Sequence, residues 1–301
     1  MKNKNTRRKC KIGIRRELSG LAFLLPAVVL IFLFKYVPII LGVLGSFFNI
    51  SLVKLPGEFI GFDNYIRIFK DAKFYTDIFN NLKLLLYSTM MTFWPPILLA
   101  ILLNEVRNPK IKTLYRVMFF IPAVTPAIAN QILWKFIWQP DYGLANQIFQ
   151  SIGLQPQMWL NSERLVYFCM HFPGLLICGG MNMVVFLAAL QNIPNEQYEA
   201  ACIDGASVLN RVRYVTIPNI MSTIITMFTL NIIYVFEALE GPMVLTGGGP
   251  AGATEPVLLY AYDSAVNKMD YGYTLAITTV VFLATMILTI VFQRFTKRDE
   301  A

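Results

Sequence analysis

Six long, nearly uncharged stretches constrain this chain more than any other feature. They run from Leu18 to Leu41, Leu82 to Leu103, Val117 to Ile137, Leu165 to Leu190, Asn219 to Leu239 and Gly272 to Phe292. A helix rises about 1.5 Å per residue, so each is near or above the ~20 residues that cross the ~30 Å hydrocarbon core of a bilayer. Lys35, Lys83, Lys135, Arg294 and Glu17 lie at or near the ends of these runs, where long side chains can carry their charge to the headgroups. Hydrophobic residues make up 56% of the 301 and charged residues only 15%, against about a quarter charged in ordinary soluble domains. Six spans leave no room for a large aqueous domain, which argues against a water-soluble enzyme. The expected fold is all-α: a basic N-terminal segment, residues 1–17, and one polytopic membrane domain of six transmembrane helices, residues 18–301.

The net charge of +8 would suit nucleic acid only if the basic residues formed a surface stripe. Instead they gather between alternate spans: Lys2 to Arg16, Arg107 to Arg116, Arg211 with Arg213, and Arg294 to Arg298. Basic residues in excess mark cytoplasmic segments. Both termini are therefore expected in the cytoplasm, with membrane lipid rather than nucleic acid as the partner. The other segments mix their basic residues with acidic ones such as Asp63, Asp71, Asp77 and Asp141. The first twenty residues are too long and too basic for the n-region of a signal peptide, so the first span is expected to stay uncleaved.

Four cysteines and a single histidine, His171, include no CxxC pair and no histidine cluster. No metal site or disulfide framework is expected. No G-x-x-x-x-G-K-[ST] occurs, and Gly247-Gly248-Gly249-Pro250 lacks the lysine a phosphate cradle needs. No nucleophile motif accompanies His171. The chain is expected to be no enzyme and to bind no cofactor itself.

Several spans carry helix breakers: Pro95 and Pro96 in the second, Pro122 and Pro126 in the third, and Pro173, Gly174, Gly179 and Gly180 in the fourth. Such breaks free backbone groups that neighbouring helices or a watery cavity must satisfy. They fit kinks for packing, and they also fit a translocation pathway.

The loop at 191–218 reads as two short helices with a bend. Pro194 stops the fourth span, Asn195 is placed to cap the next helix, and Glu196 sits in its first turn. Gly205 supplies the bend, and Ser207 caps a second helix expected to end before Pro218. Tyr198, Ala201 and Cys202 share one face. That face suits a surface lying on the membrane or a helix that docks on a partner.

Here the sequence resembles a family. Glu199-Ala200-Ala201, then Gly205 three residues on, then Val215 and Ile217-Pro218 are similar to the EAA signature of permease subunits in binding-protein-dependent ABC importers, with Val215 and Ile217 as conservative departures. Gly61-Phe62-Asp63-Asn64-Tyr65 resembles another segment of that family. Phe186 to Pro194, Leu245 to Pro250 and Tyr271-Gly272-Tyr273 resemble segments of its carbohydrate-importing branch. The resemblance implies a multi-pass protein of the cytoplasmic (inner) membrane of a prokaryote. Implied partners are a second permease of different sequence, two ATPase subunits that bind the ATP and Mg, and an extracytoplasmic solute-binding protein. It implies that the loop is a coupling helix on the ATPase, with Tyr198, Glu199, Ala200, Ala201, Asp204, Gly205 and Pro218 as the coupling set. Glu199 would pair with a basic residue of the ATPase, and the two alanines would allow close approach.

For a solute path, helical projection groups His171, Cys178 and Asn182 in the fourth span. In the fifth it groups Asn219, Ser222, Thr223, Thr226 and Glu237, with Tyr234 a turn away, and in the sixth Thr274, Thr278, Thr285 and Thr289. Hydroxyl stripes suit helix packing as well as ligand binding. A sugar calls for amides, carboxylates and an aromatic ring, so Asn182, Tyr234 and Glu237 are the candidates. A glycerol phosphate importer is a near variant, with Arg67 and Arg164 as possible anion contacts. A secondary transporter driven by an ion gradient is the competing class, although no internal repeat and no mid-membrane acid group supports it.

Overall fold

The computed structural model describes residues 23–51, 54–106, 108–177 and 180–299. The expected 1–17 segment, the start of the first span and Cys178 lie outside these. Helix α1 (Phe23–Gly45) is followed by a hairpin of β1 (Phe48–Ser51) and β2 (Lys54–Phe59) and by the short α2 (Asp63–Lys70). Helix α3 (Ala72–Glu105) comes next, then α4 (Pro109–Phe120), α5 (Ala127–Ile137) and α6 (Leu144–Ser151). Helices α7 (Val166–Ile177) and α8 (Gly180–Gln191) lead to α9 (Asn195–Ile203) and α10 (Val208–Asn219). The chain closes with α11 (Met221–Phe236), α12 (Glu240–Leu245), α13 (Val257–Val266) and α14 (Tyr271–Asp299).

Among the described residues three uninterrupted helices are long and apolar enough to cross a membrane: α1, α3 and the stretch Tyr271–Arg294 of α14. Two more such segments are broken pairs, α7 with α8 and α10 with α11. The expected third span is no single helix. It is divided into α4, a 3-10 turn over Ile121–Val124, and α5. Pro122 and Pro126 account for this, since each lacks an amide donor and crowds the preceding turn. The hairpin departs from an all-helical chain; its strands pair antiparallel, Phe48 opposite Phe59.

Helix α3 runs through all three hydrophobic cores. Its Phe74 joins Ile68, Tyr260, Tyr273 and Ile277 at one end. Leu84 joins Trp138, Trp159, Val166 and Val235 in the middle. Phe93, Ile97, Ala100 and Leu103 meet Met183, Phe186, Leu187 and Ile220 at the end that carries α9. Between the last two, a π turn at Thr89–Phe93 places Trp94-Pro95-Pro96 at the start of a fresh helical segment, where proline lacks only an amide that would be unpaired anyway. Gly272 opens α14 where a Cβ would lie 2.1 Å from the Phe48 carbonyl oxygen, so only glycine lets the helix cross β1 this closely.

Candidate functional site

Two regions bear on function: the α9–α10 loop at one end of the bundle, and a cavity between α3, α5, α7, α8 and α11. In the loop, α9 ends in a Schellman arrangement. The Gly205 amide donates to the Cys202 carbonyl at 3.1 Å, and the Ala206 amide to the Ala201 carbonyl at 2.9 Å. Gly205 has φ +76° and nothing within 4 Å of a Cβ, so its torsion, not its size, suits this position. Ser207 caps α10 as expected, its hydroxyl accepting from the Asn210 amide at 3.3 Å.

Two expectations for the loop need correction. Asn195 is the first residue of α9, and Pro194 occupies the cap position without a side-chain bond. Helix α10 does not end before Pro218. A π turn at Val212–Thr216 widens the backbone, and the helix runs through Pro218 to Asn219 before a 69° bend into α11.

Tyr198 faces inward. Like Val215 and Ile217 it packs against the core of Phe93, Met183 and Phe186, and its hydroxyl lies 3.1 Å from that of Thr216. Asn219 donates to Gln197 Oε1 at 2.8 Å. These contacts fasten α9 to α10 and through it to α11. Ala201 is half-buried on the same side, whereas Glu199, Ala200, Cys202, Asp204 and Gly205 are exposed. Ile203 and Leu209 are 86% and 76% exposed, too much for apolar residues to be serving this chain's own core.

The cavity has a volume of about 880 Å³, and Asn182, Tyr234 and Glu237 all line it. Residues not singled out in the sequence join them: Ser88, Thr92, Asn130, Gln131, Trp134, Asn231 and Glu240. Ser88 donates to Asn231 Oδ1 at 2.9 Å. Asn231 Nδ2 and Gln131 Oε1 have no hydrogen-bond partner in the chain, and each can take one from water or a solute hydroxyl. Polar residues inside spans were the only sequence signal for this group. His171 lines the cavity too, its Nδ1 donating to the Tyr167 carbonyl at 2.8 Å. The rest of the fifth-span stripe does not reach the cavity. Asn219 bonds within the loop, and Thr226 donates to the Ser222 carbonyl. The sixth-span threonines also turn to the backbone: Thr278, Thr285 and Thr289 donate to carbonyls one turn back.

At the opposite end from α9, polar contacts hold the segment 252–257, which follows the Gly247–Pro250 loop, against α3. Asn80 donates to the carbonyls of Gly252 and Glu255, and Asn81 bridges the Val235 carbonyl and the Val257 amide. Tyr167 donates to the Ala253 carbonyl. Lys73 pairs with Glu255 at 2.6 Å, and Arg67 with Asp270 at 2.5 Å. Asp71 accepts from Tyr260 and Tyr273 at 2.5 and 2.7 Å. Burial alone would raise its pKa, but these hydroxyls and the amides of Lys73 and Phe74 hold it below the usual carboxylate range.

Comparison with known proteins places this architecture. The model of the family described as "Binding-protein-dependent transport system inner membrane component" matches residues 96–299. The probable ABC transporter permease protein YurN of Bacillus subtilis is 32% identical, covering 92% of this chain and 96% of that protein. The arabinooligosaccharides transport system permease protein AraP of the same organism is 33% identical, covering 89% and 86%. Among solved structures, a bacterial ABC transporter involved in the import of the acidic polysaccharide alginate shares the fold, with a TM-score of 0.84 and 23% identity over 96% of this chain and 99% of that one. With a family model over most of its length and full-length relatives of this closeness, the chain belongs to the inner-membrane permease components of binding-protein-dependent ABC transport systems.

Proposed function

We propose that this protein is one permease of an ATP-driven importer that takes an oligosaccharide from an extracytoplasmic solute-binding protein and releases it into the cytoplasm. A second permease completes the pathway, and two ATPase subunits holding ATP and Mg dock beneath it. The observation that carries this reading is the pairing of a cavity whose largely apolar walls carry several uncharged amides and hydroxyls with an exposed two-helix loop in which Tyr198 and Gln197 hold α10, the helix that bends into the cavity-lining α11. Movement of α9 is transmitted through Thr216 and Asn219 to α11, whose Asn231, Tyr234 and Glu237 face the solute. Glu199, Ala200, Asp204 and Gly205 form the outward surface for the ATPase, while Tyr198, Ala201 and Pro218 position it. Relatives named for arabinooligosaccharides, for trehalose and maltose, and for lactose support a carbohydrate as the solute. The excess of basic residues between alternate spans supports an orientation with both termini and the loop in the cytoplasm.

The test is purification of the tagged protein from its native membrane in mild detergent, identification of the chains that come with it, and an ATPase assay with binding protein and a sugar panel. An ATPase, a second permease and hydrolysis stimulated by one sugar-loaded binding protein are expected. Glu199→Arg should abolish ATPase association while leaving the chain folded. Unchanged association and transport in that variant would remove the docking role.

A further inference from the structure

We infer that the cavity selects its solute by charge, admitting uncharged oligosaccharides and turning away those bearing carboxylate, sulfonate or phosphate groups, with Glu237 and Glu240 as the discriminating residues. The inference rests on the carbohydrate reading above and adds the charge class of the substrate. Among the described residues that line the cavity there is no lysine and no arginine, while Glu237 and Glu240 are both among them. Lys135 and Lys83 on the flanking helices do not line the cavity. Lys135 donates to the Val244 carbonyl at 2.8 Å, and Lys83 Nζ lies 4.8 Å from the centre of the Phe79 ring. His171 donates its Nδ1 proton to the Tyr167 carbonyl, which leaves only its Nε2 to other partners.

An anion entering this space loses hydration, meets two glutamates and finds no basic side chain of this chain in the lining. A neutral, hydroxyl-rich solute meets the opposite situation. The unpaired Asn231 Nδ2 is a donor and the unpaired Gln131 Oε1 an acceptor, and Trp134 adds a ring for an apolar sugar face. A cavity of about 880 Å³ accommodates a small oligosaccharide.

The test uses the assembled transporter in proteoliposomes, with Cys10, Cys169, Cys178 and Cys202 replaced by serine and one cysteine introduced as Tyr234→Cys or, independently, Ala238→Cys. Reaction rates with a cationic and an anionic methanethiosulfonate are compared with those of free cysteine. We expect a cationic preference about tenfold above that of the free thiol, collapsing to the free-thiol ratio when Glu237→Gln and Glu240→Gln are added. A free-thiol ratio at both positions, or a preference indifferent to the glutamines, overturns the inference. A second arm measures uptake of maltotriose, arabinotriose and lactose against trimers of galacturonate and alginate. Uptake of an acidic trimer overturns charge selection. Uptake confined to a neutral sugar supports it. Absence of all uptake with the thiol preference intact overturns the carbohydrate reading while supporting anion rejection by the cavity.

Discussion

At Gly205 a single torsion separates two helices, and it leads to an order of variants that size alone would not give. A left-handed φ costs an ordinary residue about 1–2 kcal/mol, and asparagine less because its side chain tolerates that region. With open space around the Cβ position, Gly205→Asn should loosen the loop less than the smaller Gly205→Ala. Hydrogen exchange of the 195–219 amides measures this; the reverse order would mean that crowding decides. Asp71 gives a prediction in pH. Its folded pKa lies below the unfolded value, so its contribution is complete above the unfolded pKa of about 4 and is lost as pH falls through the folded value. Thermal unfolding in detergent should therefore show a steeper loss of stability between about pH 5 and pH 3 for the native protein than for Asp71→Asn. Equal slopes would show that the Tyr260 and Tyr273 hydroxyls do not set that carboxyl.

At the scale of elements, α9 and α10 act together only if their fastening holds. Tyr198→Phe removes the bond to Thr216 and should cost about 1 kcal/mol. Tyr198→Ala also removes the ring from the core of Phe93, Met183 and Phe186 and should cost about 2–4 kcal/mol. Both variants should speed exchange in α9 without affecting α13, which packs on a separate core. The reading of this loop from sequence shows where legibility ends. The bend at Gly205 and the cap at Ser207 depend on residues within three or four positions, so local chemistry announces them. That Tyr198 faces its own bundle depends on Thr216 and the wide turn at Val212–Thr216, which no local pattern encodes. The same divide explains the hairpin. No strand is expected from the sequence between the first two spans, and the hairpin forms where Gly272 lets α14 cross beside β1. In the cavity, Asn182, Tyr234 and Glu237 stood out as polar groups in apolar runs. Gln131 and Trp134 did not, because the break at Pro126 that aims α5 at the cavity scrambles any projection along a straight helix.

The whole molecule is less consolidated than a soluble domain of its length. Among the described residues its cores are three, joined chiefly through α3, and α1 leaves its apolar window entirely unburied. Apolar side chains as different in place as Leu98, Leu133, Phe136 and Ile287 are more than half exposed. Lipid covers such surfaces in a membrane, but it adds little net force between helices because its chains are as apolar as leucine. The proposed partner subunits would then carry part of the stability. A partner that binds only the folded chain stabilises it by an amount that grows with concentration, about 2.7 kcal/mol at a hundredfold excess over Kd. The isolated permease in detergent should unfold at a temperature that climbs as purified ATPase is added. The climb should be absent for Glu199→Arg and should persist for Glu237→Gln, because only the first substitution lies on the exposed face of α9. Hydrogen exchange under the same titration should slow first in residues 195–219 and then in α11, following the contacts of Tyr198 with Thr216 and Gln197 with Asn219. Slowing confined to α9 would cut the link between docking and cavity, and the transmission proposed here would need another route.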